Sequence, residues 1–225
     1  MENEKEHTKP YEMASKTTDV VKEPVAAYGT VNLDKSMRYT YADYLTWMDD
    51  KRRELINGFF HLMSGPLRRH GRVLIEISNL IFNHIKKNKG KCHIYQAPFD
   101  VRLPLHGSTD DDKVYDVVQP DICVICDLTK LDDKGCIGAP DLIIEVLSPS
   151  TLKKDWCYKL SLYERAGVKE YWIVDPKTKL VYVFLLQSDG KYEEGTIYES
   201  GQKAPVSIFE GLEIDLDEIF EDDTI

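Results

Sequence analysis

The stretch Pro140-Asp141-Leu142-Ile143-Ile144-Glu145-Val146-Leu147-Ser148-Pro149-Ser150-Thr151 decides how the rest of the chain is read. Its middle is a β-branched and leucine-rich run of strand length, the composition a pleated buried surface favours. Its end, a serine, proline and threonine cluster, opens a helix, because a capping hydroxyl accepts a first-turn N–H. That helix is expected to run to about Ala166 and to stop at Gly167. Alternation along the strand puts Asp141, Ile143, Glu145 and Leu147 on one face. Glu145 is then an acid set in an apolar strand. Such a group is costly to bury unless it is paired, hydrogen-bonded or bound to a metal.

A second β-branched run covers residues 117–126 and contains Gln119-Pro120-Asp121. Gln119, Asp121, Cys123 and Ile125 share one of its faces. Asp121 can meet Glu145 if the two strands are neighbours, since 24 positions separate them and leave room for a loop over 127–138. Asp141 lies ~13 Å along the strand from Glu145 and cannot share a metal with it. Upstream, Val73, Leu74, Ile77, Leu80, Ile81 and Ile85 recur at helical spacing, which predicts a long helix over 70–87. Asn57-Gly58 between apolar runs signals a hairpin. Thr40 caps a helix expected over 40–49, strands are expected at 92–97 and 99–103, and 104–116 reads as a loop. Downstream, 171–174, 180–186 and 191–198 form a meander, and 216–220 a last short turn. This order predicts an α/β domain over 37–225, with a mixed central β-sheet flanked by helices. Residues 1–36 read as a polar, loosely held N-terminal arm.

At 225 residues, 42% hydrophobic and 10% aromatic, the chain can fill a sizeable core, which excludes global disorder. A net charge of -10 excludes a wholly basic nucleic-acid binder but not a local basic face. No apolar run approaches the ~20 residues of a bilayer span, so no membrane association is expected. The polar first residues show no signal-peptide pattern. Five cysteines, an odd number, fit a reduced cytoplasmic protein better than a disulfide scaffold. Cys123 and Cys126 are three apart on a strand, face opposite ways, and have no second pair with which to bind zinc.

Two carboxylates on adjacent strands, with an amine nearby, suit Mg²⁺-assisted phosphodiester hydrolysis. Magnesium takes oxygen ligands and keeps several waters, and Mn²⁺ can substitute for it. A lysine can stabilise the charge that develops on the phosphate. Five blocks of sequence carry a family likeness here. They are Arg53-Glu54-Leu55-Ile56-Asn57-Gly58, Gln119-Pro120-Asp121, the stretch quoted above with its preceding Gly138-Ala139, Lys159 with Tyr163, and residues 167–176. Over residues 38–220 the chain resembles the Uma-two family of restriction endonucleases, within the PD-(D/E)XK nuclease superfamily. The resemblance implies a restriction-endonuclease-like fold, DNA as substrate and a homodimer. It matches Asp121 and Glu145 to the acidic pair that binds metal, with the Val146 carbonyl as a further ligand. The superfamily lysine would fall at Leu147, where this chain departs from the pattern, and the resemblance implies a lysine relocated to Lys159. Glu54 matches an N-terminal acid often placed beside the metal.

Each of these residues has a structural reading as well. Asp121 would be a turn residue leading into a strand, Glu145 an acid paired with a base, Lys159 a helix-surface lysine and Glu54 a solvated strand acid. His70 matches a histidine often seen at this place in the family but is expected as a surface residue at the start of the long helix, and Gln119, on the face of Asp121, is a candidate to orient a metal-bound water. Residues 51–91 hold ten Lys and Arg against only Glu54 and Glu76. Arg68, Arg69 and Arg72 among them could track a phosphate backbone. The leading expectation is a Mg²⁺-dependent endonuclease acting on DNA through this basic region. The alternative is a nuclease-fold protein that no longer cuts and serves as a dimeric binding or scaffold module.

Overall fold

The computed structural model describes residues 31–221 except Ser64, Pro66 and residues 149–153. Most of the N-terminal arm, and the expected helix cap at Pro149 to Thr151, lie outside the described residues.

The chain opens with a short helix α1 (Tyr41–Tyr44) and the hairpin β1 (Arg53–Ile56) and β2 (Phe59–Leu62). A long helix α2 (Arg68–Lys87) follows, then β3 (His93–Gln96), β4 (Val101–Arg102), β5 (Val117–Val118) and β6 (Ile122–Ile125). Next come β7 (Leu131–Asp132), β8 (Gly135–Ile137) and β9 (Leu142–Val146). A π-helical turn, Lys154–Lys159, runs directly into α3 (Leu160–Ala166). The end of the chain supplies β10 (Glu170–Asp175), β11 (Leu180–Leu185), β12 (Thr196–Tyr198), β13 (Lys203–Pro205), β14 (Glu213–Asp215) and α4 (Leu216–Ile219).

These strands build the expected mixed α/β architecture as two six-stranded mixed sheets, with β13 and β14 as a separate antiparallel pair. The first has the order β2-β1-β5-β4-β8-β7 and the second β12-β11-β10-β9-β6-β3. Each contains one parallel pair, β4 with β8 and β9 with β10. The run 117–126 is not one strand. Pro120 has no N–H to offer a ladder, and at Gln119-Pro120-Asp121 the chain leaves the first sheet as β5 and joins the second as β6. The two sheets are therefore linked at the residues expected to carry chemistry.

Alternation along the second sheet separates two cores. Ile122, Val124, Leu142, Ile144 and Val146 face α2, whose Val73, Ile77, Ile81 and Ile85 pack onto them. Cys123, Ile125, Ile143 and Leu147 face the other way, toward Val101, Val118 and Cys136 of the first sheet and Leu162 and Tyr163 of α3. The hairpin turn is as expected, with Asn57 and Gly58 both at positive φ (52° and 81°), the conformation this turn demands. The first helix is shorter than expected, because a capping box between Thr40 and Asp43 starts it and its chain then turns off at Leu45. Cys92 and Cys126 form a disulfide, which corrects the reading of all five cysteines as thiols; Cys123, Cys136 and Cys157 are free.

Candidate active site

Glu145 lies on the face of β9 that points between the sheets and is 4% exposed. Lys159 and Tyr163, both buried, meet it from the π-turn and α3. The Lys159 Nζ donates to Glu145 Oε1 at 2.7 Å, and the Tyr163 hydroxyl donates to the same oxygen at 2.8 Å. A regular helix would leave Lys159 at the edge of its apolar stripe. The wider π-turn, a feature frequent at functional sites, ends on Lys159 and delivers it into the interior. Burial, reinforced by the nearby Glu145 and Glu54 carboxylates, pushes the Tyr163 hydroxyl well above the ordinary phenol range, so it stays a donor.

Glu54 comes from the other sheet. All four residues of β1 are buried, because β2 and β5 pair with it on its two edges. Glu54 Oε1 accepts Lys159 Nζ at 2.8 Å and the Gln119 backbone N–H at 3.1 Å. One ammonium thus bridges carboxylates from both sheets. Glu54 is buried in the network and is not a solvated strand acid.

Asp121 completes the group. Its Oδ2 accepts the Val146 N–H at 2.8 Å and faces His70 Nε2 at 3.0 Å. An ionised carboxylate only accepts, so the imidazole places its Nε2–H there. The expectation of a surface His70 is overturned. It is buried, and the first turn of α2 aims it at Asp121. Its Nδ1 is buried without a hydrogen-bond partner among the described residues. Gln119 is also corrected. Its side-chain amide binds Tyr44, Asp100 and Arg52 rather than facing an open site, and it serves Glu54 through its backbone. Asp141 is structural, held by the Cys126 N–H and Lys169.

The basic region over 51–91 does not form one face. Arg53 is buried in a two-pronged pair with Asp49, at 2.6 Å for each bond. Arg68, Arg69 and Arg72 sit at the start of α2, and Lys86 and Lys87 at its end.

Two carboxylates, Glu54 and Glu145, clasp one buried ammonium, and a third, Asp121, is tied to the backbone N–H of Val146 beside Glu145. That formal excess of negative charge is of the kind a divalent cation offsets. Among the described residues no three His, Cys, Asp or Glu side chains gather closely enough to hold a metal by themselves. Magnesium needs fewer, since it commonly binds through one or two carboxylates and retains water. The hard oxygen donors of Asp121 and Glu145 fit that requirement.

A fold of mixed sheets joined at a buried cluster of acids and a lysine defines a restriction-endonuclease-like protein. The chain belongs to the Uma2 family, described as "Putative restriction endonuclease", which matches residues 41–217. It is 26% identical over 153 residues to an uncharacterized protein of Synechocystis sp., covering 67% of this chain and 75% of that protein. It also resembles the crystal structure of a "putative nuclease belonging to DUF820" from Anabaena variabilis. The TM-score is 0.65 at 20% identity, covering 81% of this chain and 97% of the other. The likeness to that structure is one of fold.

Proposed function

We propose that the protein is a Mg²⁺-dependent endonuclease that hydrolyses phosphodiester bonds in DNA. The single observation that carries this reading is the clasp of Lys159 by Glu54 and Glu145 from two sheets, with Asp121 bonded to the Val146 N–H next to Glu145. Asp121, Glu145 and the Val146 carbonyl would hold the ion, with water completing its shell. Bound Mg²⁺, or Mn²⁺ in its place, supplies Lewis-acid chemistry at the phosphate and lowers the pKa of a coordinated water.

The chain's own residues do the rest. Tyr163 and Lys159 fix the Glu145 carboxylate in one orientation. His70 and the Val146 N–H do the same for Asp121, using Oδ2 and leaving Oδ1 without a partner among the described residues. Lys159, clasped by two carboxylates, acts as a fixed positive charge that stabilises negative charge developing on the phosphate oxygens. A homodimer would present two such sites to the two strands of a duplex.

The test is cleavage of supercoiled and linear DNA with Mg²⁺ or Mn²⁺, comparing wild type with Glu145→Ala and Asp121→Asn. Metal-dependent cutting that both variants abolish supports the proposal. Equal activity in all three would trace the cutting to a contaminant. One observation favours the second reading, a nuclease fold that binds without cutting: Lys159 already engages Oε1 of both Glu54 and Glu145, where a cation would draw charge. On that reading no substrate is cut, and Mg²⁺ leaves the melting temperature unchanged.

A further inference from the structure

We infer that a pocket at the start of α2 is a phosphate-binding subsite, seating a backbone phosphate of the nucleic acid near the acid cluster. It rests on the nuclease reading above and deepens it. The pocket is lined by Arg68, Arg69 and Arg72 of α2, Lys179 of the β10–β11 turn, and Phe220 and Glu221 after α4. Four cations from two segments more than a hundred residues apart thus converge on one concavity. The nearby carboxylates are Glu221 in the lining, Glu76, which pairs with Arg72 at 2.7 Å, Asp217, whose charge reaches Lys179, and Asp175, which is committed to the backbone of Lys179's own turn. Arg68 and Lys179 make no ion pair among the described residues.

Stability does not explain the arrangement. The first turn of α2 contains no acid, and its N-cap, Leu67, offers no side-chain acceptor. Arginines there stand at the positive end of the helix, where cations are unfavourable. Lys179 is held in a left-handed conformation, φ 57°, which a lysine adopts only at a cost. The Asp175 side chain pins the turn through the N–H groups of Lys177 and Thr178. This keeps the position of Lys179 fixed.

The position is right for a strand that reaches the acids. His70, one residue beyond Arg69, touches Asp121. Val174 of β10 pairs in register with Val146, and Pro176, in the pocket wall, lies two residues further. One strand spacing and two residues of rise place that wall about 8 Å from Val146. Duplex DNA carries one phosphate per ~3.4 Å of axis on each strand. The pocket therefore falls within about two nucleotides of a phosphate at the acid cluster. Phosphate groups reach a protein either within a nucleic-acid backbone or as free anions, and the experiment separates the two.

Binding of a fluorescent duplex and of its single strand is measured in EDTA, where no cleavage occurs, across 50–200 mM salt. The proteins compared are wild type, Arg68→Gln, Lys179→Asn, the double variant, and Lys87→Gln. Asn tolerates the left-handed position, and melting curves check that each variant is folded. Lys87 lies at the far end of the same helix, ~28 Å away by helical rise. The expected result is a salt slope shallower by about 1 for each single variant and about 2 for the double, with Lys87→Gln unchanged. Across that salt range the double variant would lose about tenfold less affinity than wild type. An unchanged slope in the double variant, or an equal change in Lys87→Gln, overturns the subsite and leaves the nuclease reading standing. Absence of any nucleic-acid binding removes the nuclease reading and the backbone phosphate with it. In that case a rise in melting temperature with inorganic phosphate, lost in the double variant, would reassign the pocket to a free anion. No rise would remove the pocket altogether.

Discussion

Lys159 donates to Glu145 across 14 positions of sequence at 2.7 Å, and neither side chain is more than 5% exposed. A buried pair of this kind adds little over well-packed apolar residues, but breaking it by removing one partner is expensive. Lys159→Met should therefore destabilise the protein by ~3–5 kcal/mol, since it strands two buried carboxylates. Adding Glu145→Gln and Glu54→Gln to Lys159→Met should recover part of the loss. Urea unfolding of the three proteins checks this. A loss below 1 kcal/mol for Lys159→Met would mean that the lysine is not held as described.

His70 acts on the site through Asp121, and its expected effect follows from that contact. Groups that orient a metal-binding side chain are typically worth 10–100-fold in metal affinity or activity. His70→Ala should raise the Mg²⁺ concentration giving half-maximal stabilisation by that factor, read from melting temperature against metal. His70→Gln, which keeps a donor, should recover part of it. An unchanged metal titration in His70→Ala would return the residue to a purely structural role. For wild type, Mg²⁺ at ten times its dissociation constant should add ~1.4 kcal/mol, or ~3–5 °C.

Much of this arrangement was legible in the sequence, and the failures share a physical cause. Strand alternation correctly placed Glu145 and Leu147 opposite Ile144 and Val146, because period-two geometry is local. Asn57-Gly58 and Gly167 marked their turns through backbone conformation, which is local too. The burial of an acid was a weaker guide. Glu170 is just as buried, but it faces the α2 side and is satisfied by Trp172 Nε1 and the Ile208 N–H, so it takes no part in the site. Which buried acid matters depends on which sheet face it occupies, and tertiary packing sets that. Similarly, the change of sheet at Pro120 was hidden inside one continuous β-branched run. His70 is legible only through the family resemblance and still reads as a surface residue, and Lys179 gives no signal, because their partners are far away in sequence, 51 positions for His70.

The disulfide between Cys92 and Cys126 closes a loop of 34 positions between α2 and the end of β6. A cross-link of that span removes enough unfolded-chain entropy to stabilise the fold by about 4 kcal/mol on the chain-entropy account. Urea unfolding with and without reductant should show that difference, and Cys92→Ala should abolish it. Identical curves would mean that the two cysteines remain thiols in solution.

Asp49 tests the acid limb of stability. The Arg53 guanidinium holds its carboxyl down, from an ordinary 3.8 to about 2. Because the folded state gives up the proton more readily than the unfolded chain, the contribution is present above pH 3.8 and is lost as pH falls toward 2. Asp49→Asn should lower the melting temperature at pH 5 and converge on wild type as the pH approaches 2. Arg53 is buried and keeps a neutral acceptor in that variant, so the domain should remain folded at neutral pH. Parallel melting curves for the two proteins between pH 5 and 2 would show that the pair does not titrate as described. Convergence would tie the hairpin's buried arginine, one residue from Glu54, to the acid limb of the protein's stability through Asp49.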